Sequence, residues 1–99
     1  MILKINGGKL ELRKDNGSYV RTIAPKDVVD ADLNHDETCI VITYENGKVE
    51  LRKDNGSYIR TIISSKAIRA RWQGENVAVT LESGKIELRK ENGTYIRTI

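Results

Sequence analysis

Apolar and polar residues alternate along most of this chain, and turn-forming residues interrupt the alternation roughly every ten residues. Successive side chains of a β-strand point to opposite faces, so this pattern predicts strands rather than helices. The interruptions include Asn46-Gly47 and Ser83-Gly84, which favour tight hairpin turns. We therefore expect an all-β protein built from short antiparallel strands.

A sixteen-residue sequence occurs three times and organises these strands. It is GKLELRKDNGSYVRTI at residues 8–23, GKVELRKDNGSYIRTI at residues 47–62 and GKIELRKENGTYIRTI at residues 84–99. The copies begin 39 residues (47 − 8) and 37 residues (84 − 47) apart, and a period of this length indicates a repeat architecture.

Each full repeat is predicted to contain four strands: a variable strand, an apolar strand and the two strands of the repeated sequence. The variable strands are Val28–Leu33 and Ala67–Trp72, and the apolar strands that follow them are Cys39–Tyr44 and Val77–Leu81. The chain begins directly on an apolar strand, Met1–Ile5, so that eleven strands are expected in all (3 + 4 + 4).

The turn that opens each repeated sequence predicts which residues face one another. Gly7-Gly8, between the strands Met1–Ile5 and Lys9–Lys14, has the form of a two-residue hairpin turn, whose positive φ angles glycine and asparagine tolerate. Applied to all three copies, this turn predicts the pairs Ile5–Leu10, Tyr44–Val49, Leu81–Ile86, Lys4–Glu11, Thr43–Glu50 and Thr80–Glu87.

The second turn, Asp54-Asn55-Gly56 in the middle copy, allows two registers. A two-residue turn gives the pairs Glu50–Thr61 and Leu51–Arg60. A three-residue turn with a bulge gives the pairs Glu50–Arg60, Leu51–Ile59 and Arg52–Tyr58. Opposite-charge, apolar and cation–π pairs contribute roughly 0.2–1 kcal/mol each, so the bulged register is predicted. The equivalent pairs in the other copies are Glu11–Arg21, Arg13–Tyr19, Glu87–Arg97 and Arg89–Tyr95.

Composition limits the size and the chemistry of the protein. A chain of 99 residues makes one small domain, and 38% apolar residues without any Phe is a thin supply for a closed core, so association is expected to add stability. The 17 basic and 14 acidic residues are interspersed, which argues against nucleic-acid binding. The single cysteine, Cys39, excludes an internal disulfide and suits a reducing, cytoplasmic location. No signal peptide or membrane-spanning segment is expected.

The repeated sequence resembles the end of a WD-type β-propeller blade. Residues 84–99 contain a glycine, an apolar–polar–apolar strand, a polar turn with glycine and then Ile-Arg-Thr-Ile. The resemblance covers nearly the whole chain as a pattern, but Arg52-Lys53 and Arg89-Lys90 replace the Trp-Asp signature, and the Gly-His pair is missing. It implies one repeat domain of propeller-like four-stranded blades, comprising a partial blade at residues 1–23 and full blades at residues 24–62 and 63–99.

Three blades are too few for a closed ring, because propellers usually have about four to eight. An open arc would expose an apolar blade face at each end, and two chains would give six blades with closed symmetry. The expected assembly is therefore a homodimeric six-bladed propeller. A β-trefoil, which also uses three four-stranded repeats, and an open fragment of a longer array are the alternatives.

The variable strands carry the candidate binding residues. Asp30 and Asp32 occupy the positions that Arg69 and Arg71 occupy one repeat later. The first strand of a propeller blade lies innermost, so the resemblance implies that acidic and basic strands are neighbours at the central channel. Either these charges pair between blades or across the dimer and determine blade order, or the two arginines bind an anion. Trp72 is expected in the core or at a blade interface.

No catalytic or metal-binding constellation stands out. The segment Asp30–Asp36 has the oxygen-ligand spacing at the start of a calcium loop, but it lacks the glycine and the glutamate that such a loop needs. Cys39 and His35 have no defined carboxylate to orient them, and one His with one Cys is too few for a zinc site without carboxylates. We therefore expect no enzymatic activity, no metal and no cofactor.

The expected function is a non-catalytic binding or assembly module that forms an oligomeric β-propeller, with a second copy as its main partner. The alternative is a lectin-like protein that binds carbohydrate or a small anion at the channel or at the repeated Glu–Arg and Arg–Tyr pairs, because Arg and Tyr suit such ligands. The other interpretation of these pairs is a solvated ladder across the strands.

Overall fold

The computed structural model describes all residues, 1–99, and contains eleven β-strands and no helix. The strands are β1 Ile2–Asn6, β2 Lys9–Arg13, β3 Tyr19–Ala24, β4 Val28–Leu33, β5 Cys39–Tyr44, β6 Val49–Lys53, β7 Tyr58–Ile63, β8 Ala67–Gln73, β9 Asn76–Leu81, β10 Ile86–Lys90 and β11 Tyr95–Thr98. The all-β class is confirmed, and there is no helix long and apolar enough to cross a bilayer.

The strands form three antiparallel sheets in chain order, which we name blades 1, 2 and 3. Blade 1 has three strands (β1-β2-β3), whereas blade 2 (β4-β5-β6-β7) and blade 3 (β8-β9-β10-β11) have four each. The two full blades therefore begin on the variable strands β4 and β8, and blade 1 has no strand in that position.

The middle blade is covered by a neighbouring blade on each face. Alternate residues of β5 belong to two different apolar clusters: Ile40 and Ile42 pack with blade 1, while Cys39 and Val41 pack with blade 3. None of the four is more than 5% exposed. A strand that is buried on both faces needs apolar residues at both phases of its alternation, which explains the run Cys-Ile-Val-Ile.

Two apolar clusters hold the three blades together. The cluster between blades 1 and 2 contains Leu10, Leu12, Ile23, Ala24, Val28, Ile40 and Ile42. The cluster between blades 2 and 3 contains Cys39, Val41, Val49, Leu51, Ile62, Ala67, Ala70, Val77 and Val79. The core of this protein therefore lies between sheets.

The copies of the repeated sequence differ in burial according to what covers them. Leu12 of blade 1 and Leu51 of blade 2 face the following blade and are 2% and 0% exposed. Leu88, the same residue of blade 3, has no following blade and is only partly buried. Ile86 is partly buried as well, whereas its counterpart Val49 is 0% exposed.

One backbone hydrogen bond joins the glycine turn of each blade to the first strand of the next blade. The amide of Val28 donates to the carbonyl of Gly8 (2.9 Å), and the amide of Ala67 donates to the carbonyl of Gly47 (3.0 Å). Both donors begin the first strand of the following blade. Gly84 is the counterpart of these glycines in blade 3 and has no following blade to join.

The residues just before these donors adopt an unusual backbone conformation. Asp27 and Lys66 have φ angles of 64° and 73°, in a region that costs a non-glycine residue free energy. Their carbonyls accept hydrogen bonds from the amides of Glu45 and Glu82, both at 2.8 Å. Asp27 and Lys66 thus each serve one joint between blades. The amide that follows them binds the glycine turn of one blade, and their own carbonyl binds a hairpin turn of the next blade.

The predicted register of the first turn is confirmed in blade 1 and wrong in blades 2 and 3. Blade 1 shows the predicted pairs Ile5–Leu10 and Lys4–Glu11. The other blades show Thr43–Val49, Ile42–Glu50, Thr80–Ile86 and Val79–Glu87, so that the predicted pairs Tyr44–Val49, Thr43–Glu50, Leu81–Ile86 and Thr80–Glu87 are shifted by one residue.

A change of turn type explains this shift. Gly7 and Gly8 both have positive φ (59° and 84°), as a two-residue hairpin turn of this kind requires. In blade 2 only Gly47 does (88°), and its amide donates to the carbonyl of Tyr44 (2.9 Å). Asn46 is therefore part of a three-residue loop that ends in a bulge.

The second turn has the predicted three-residue form, but a second bulge follows it. Arg52 faces Tyr58, and Arg13–Tyr19 and Arg89–Tyr95 are likewise opposed, with each of the latter two guanidinium carbons 5.9 Å from the ring centroid. Beyond this point the register shifts, and the observed pairs are Leu51–Arg60, Glu50–Thr61, Glu11–Thr22 and Glu87–Thr98. The predicted pairs Glu50–Arg60, Leu51–Ile59, Glu11–Arg21 and Glu87–Arg97 are therefore wrong. The bulge lets Ile59 pack against the cluster between blades 2 and 3.

Equivalent leucines are predicted to differ in their contribution to stability. Leu51→Ala should lower the free energy of unfolding by about 3 kcal/mol, because it leaves a cavity between two blades. Leu88→Ala should cost about 1 kcal/mol in the monomer, because the side chain is already partly in water. Urea unfolding at low protein concentration measures both values, and equal losses would contradict this account of the core.

Equivalent glycines provide a second matched comparison. Gly47→Ala and Gly84→Ala both introduce a side chain at φ near 90° (88° and 91°) and so share the same conformational strain. A Cβ on Gly47 would also lie 2.4 Å from the amide nitrogen of Lys66, whereas a Cβ on Gly84 would have no atom within 4 Å. Thermal unfolding should therefore show a clearly larger loss for Gly47→Ala, and a similar loss at both sites would exclude the close approach.

Candidate functional site

The structure brings four of the five predicted site residues together where blades 2 and 3 meet. Arg71 of β8 donates a hydrogen bond to the carboxylate of Asp30 in β4. The amide of Trp72 donates to Oδ2 of Asp32 (2.9 Å), and its indole Nε1 donates to the carbonyl of Asp32 (3.1 Å). The side chain of Arg69 is exposed and takes part in neither an ion pair nor a hydrogen bond. The acidic and basic strands are thus neighbours, and the pairing lies within one chain.

The charges of this cluster are unevenly compensated. The hydrogen bond with Asp30 raises the pKa of Arg71, and partial burial opposes that increase. The carboxylate of Asp32 accepts a backbone N–H, but no Lys or Arg side chain forms an ion pair with it. Arg71 therefore interacts with both aspartates, by an ion pair with Asp30 and through the nearby charge of Asp32, while the side chain of Arg69 is unpaired.

Trp72 belongs to the interface between the blades. Its side chain is partly buried and packs against the cluster shared by blades 2 and 3. The hydrogen bond from the indole Nε1 to the carbonyl of Asp32 holds the ring in place, which agrees with the role at a blade interface that its position in the sequence predicts.

The segment with calcium-like spacing forms a strand and its turn. Oδ1 of Asn34 accepts hydrogen bonds from the amides of Thr38 (2.9 Å) and Cys39 (3.1 Å), so this oxygen closes the turn between β4 and β5. The carboxylates of Asp30 and Asp32 are directed at β8. The structure contains no group of three or more His, Cys, Asp or Glu side chains arranged for a metal ion.

Cys39 has the environment of a packing residue. It is 5% exposed, and burial, followed by the charge of Glu91, raises the pKa of its thiol to about 11. The thiolate is the nucleophilic form of cysteine, so this side chain is unreactive near neutral pH.

The charged residues of the repeated sequence form a network that the sequence did not predict. Nε of Arg52 donates to Oε2 of Glu50 (2.7 Å), and Nη1 donates to the carbonyl of Gly56 in the adjacent turn (3.0 Å). Arg13 and Arg89 bind their own turn glycines in the same way, at 2.8 and 2.9 Å. Glutamate and arginine two residues apart in a strand share a face, and this spacing was the available signal. These arginines are therefore occupied in building the hairpin.

An open groove of about 560 Å³ lies where blades 1 and 2 meet. Its lining includes the segment Pro25–Asp27 and the side chains of Tyr44, Lys48, Glu50 and Arg52. Nζ of Lys48 is 4.8 Å from the centroid of the Tyr44 ring, and burial, followed by the charge of Glu50, raises the pKa of the Tyr44 hydroxyl to about 12. The groove thus combines an aromatic face with charged groups of both signs.

A second groove lies at the equivalent place between blades 2 and 3. It contains the matching residues Lys85 and Glu87, but Leu81 replaces the tyrosine. The sequence does not indicate either groove, because each one forms only where a connecting segment crosses the next blade.

The fold resembles β-propellers in solved structures. The β-propeller domain of Cps50 (Swd1) from Myceliophteria thermophila matches 96% of this chain with a TM-score of 0.69 at 14% identity, and the match covers 33% of that chain. BamB from Moraxella catarrhalis matches 93% of this chain with a TM-score of 0.68 at 16% identity, covering 29% of that chain. The chain spans about a third of the length of these proteins, and the propeller-like, WD-like architecture is confirmed.

The sequence comparisons define a family. No curated protein matches this chain. The family described as "Helicobacter pylori IceA2 protein" matches residues 38–99, which is 62 of the 99 residues (99 − 38 + 1) and includes two of the three repeated sequences. The chain therefore belongs to the Helicobacter pylori IceA2 protein family.

Proposed function

We propose that this chain is a non-catalytic binding or assembly module and that two copies combine into a six-bladed β-propeller. The observation that carries the proposal is the incomplete burial of both terminal blades. The exposed face of each terminal blade is equivalent to a face of blade 2 that a neighbouring blade covers.

The outer face of blade 3 is one half of the proposed interface. Ile86 and Leu88 occupy the positions of Val49 and Leu51, which blade 3 itself covers in the middle of the chain. A further blade that packs on blade 3 as blade 3 packs on blade 2 would bury both side chains. Burial of apolar area is the main favourable contribution to such an association.

The rear face of blade 1 is the other half. Ile2 faces Arg13 in β2, as Ile40 faces Arg52 in β6, so the two isoleucines are structurally equivalent. Ile40 is 0% exposed beneath blade 1, whereas Ile2 is 45% exposed. Blade 3 of one copy would cover Ile2 of the other, and two such contacts would close a symmetric ring.

Charge inserted into one half of the interface should prevent assembly. The unmodified chain should have a solution mass of about twice 11.2 kDa, and Leu88→Arg should reduce it to that of the monomer while the far-ultraviolet spectrum stays unchanged. Ser83→Arg, which adds the same charge at an exposed turn, should leave the mass unchanged. Light scattering coupled to gel filtration measures all three, and a monomeric unmodified chain would refute the ring.

The groove at blades 1 and 2 favours a second candidate function, the binding of carbohydrate or a small anion. Sugar rings stack on aromatic faces, and lysine and arginine bind anionic groups. Tyr44 and Lys48 supply both features, and the groove repeats at each blade joint. Because the second groove has leucine at the tyrosine position, this chain contains its own reference site.

Replacement of one aromatic ring tests this candidate. On a glycan array the unmodified chain should retain a subset of glycans, and Tyr44→Leu should lose at least tenfold in affinity, because it converts the first groove to the lining of the second. Leu81→Tyr should add a second site of similar specificity. Failure to retain any glycan would exclude the lectin-like function.

A further inference from the structure

Five Asn-Gly dipeptides lie at or beside the turns of this chain, and all five asparagines are exposed. Glycine has no side chain to shield its amide, so the amide nitrogen can attack the side-chain amide of the asparagine before it. This attack converts asparagine to an acidic residue, and Asn-Gly is the dipeptide that permits it most readily. The pairs are Asn6-Gly7, Asn16-Gly17, Asn46-Gly47, Asn55-Gly56 and Asn92-Gly93.

Four of the five pairs are held by the same two hydrogen bonds. The asparagine Oδ1 accepts a hydrogen bond from the amide two residues later, which fixes the side chain in an Asx turn. These bonds join Asn16, Asn46, Asn55 and Asn92 to the amides of Ser18, Lys48, Ser57 and Thr94 at 2.9, 3.0, 2.9 and 3.0 Å.

The second hydrogen bond holds the attacking nitrogen. The glycine amide donates to the carbonyl three residues earlier, and this bond opposes the loss of the proton that the attack requires. These bonds join the amides of Gly17, Gly47, Gly56 and Gly93 to the carbonyls of Lys14, Tyr44, Lys53 and Lys90 at 2.8, 2.9, 2.9 and 2.8 Å. Both reacting groups are therefore engaged in these four pairs.

Asn6-Gly7 has neither hydrogen bond. The amide of Gly7 donates to no carbonyl, and the side chain of Asn6 accepts no amide. The cause is the shorter turn, because Gly7 and Gly8 close the hairpin in two residues, whereas the other four pairs lie in three-residue loops. Asn6 and Lys9 form the last pair of the hairpin, where strands open most easily. A Cβ at Gly7 would have no atom within 4 Å, so the space around the reacting nitrogen is open.

We propose that Asn6 is a site of spontaneous deamidation, which the fold prevents at the other four Asn-Gly pairs. The backbone nitrogen of Gly7 forms a bond to Cγ of Asn6, the bond from Cγ to Nδ2 breaks, and the proton of the Gly7 amide leaves with Nδ2 as ammonia. The product is a cyclic imide. Water then opens the imide on the Cγ side to give aspartate, or at the backbone carbonyl to give isoaspartate, in which the chain runs through Cβ and Cγ.

The modified turn lies against the joint between blades 1 and 2. The carbonyl of Gly8 accepts the amide of Val28 (2.9 Å), and a Cβ on Gly8 would lie 3.1 Å from the amide nitrogen of Asp27. Isoaspartate lengthens the backbone beside this close contact by one atom. The segment Pro25–Asp27 also lines the groove between these blades. Conversion of Asn6 therefore loosens the joint, and this effect depends on neither the six-bladed ring nor the binding of a glycan.

Peptide mapping measures all five sites in one sample. Cleavage after Lys and Arg places each pair in a different peptide: residues 5–9, 15–21, 27–48, 54–60 and 91–97. After incubation of the folded chain at mildly alkaline pH, mass spectrometry should show Asn6 converting at least about tenfold faster than any other site, because breaking two hydrogen bonds slows the others by roughly that factor. The proposal is overturned if Asn6 converts no faster than the other four.

The unfolded chain is the matched reference, because all five sites share the same dipeptide. In urea the five pairs should convert at similar rates, since the hydrogen bonds that distinguish them are gone. A continued preference for Asn6 in urea would assign the effect to local sequence and refute the structural account. Asn6→Gln should remove the acidic form that accumulates on ion exchange, whereas Asn46→Gln should leave it unchanged.

The effect on the joint is tested at constant charge. The isoaspartate form, identified with an isoaspartate-specific carboxyl methyltransferase and separated by ion exchange, should unfold at a lower urea concentration than Asn6→Asp. Both carry the same added negative charge, but only the first has the longer backbone. Equal midpoints would show that the turn absorbs the extra atom and would refute the loosened joint. The oligomeric state and glycan retention are measured separately, so failure of either proposed function leaves this result unchanged.

Discussion

The packing of one blade on the next is the interaction on which the rest of this structure depends. A single blade has no partner for its apolar faces, and a repeat unit of this kind cannot bury them without a neighbour. Here each apolar cluster contains residues of two sheets, and the middle blade contributes to both clusters. A repeat that depends on its neighbours in this way leaves an unsatisfied face at each end of the array.

The connection between blades fixes how one blade is positioned on the next. Residues at positive φ, Asp27 and Lys66, orient the chain so that the next amide binds a turn glycine of the previous blade. The close approach requires a glycine at Gly47, where a side chain would collide with the backbone of Lys66. The repeated glycine thus acts as a turn residue in all three copies and as a docking point in two of them.

The three copies of the repeated sequence are nearly identical because their residues build the fold. Its glutamates and arginines pair along one strand, and the arginines also tie down the turns. The parts that differ between repeats carry the features that distinguish the blades: Asp30 and Asp32 against Arg69 and Arg71, and Tyr44 against Leu81. A specific ligand or partner would be recognised by these divergent positions, because the repeated ones are engaged with each other.

The sequence by itself determined the strands, the positions of the turns and the number of strands in each repeat, because alternation and glycine-containing turns are local properties. It also placed Asp30 and Arg71 on neighbouring strands, because β4 and β8 occupy equivalent positions in successive repeats. Tertiary structure decided the registers beyond the turns, since Ile59 bulges to reach a cluster that another blade completes. It also decided the burial of identical residues such as Leu51 and Leu88, and the grooves between blades, because each depends on which sheet lies opposite.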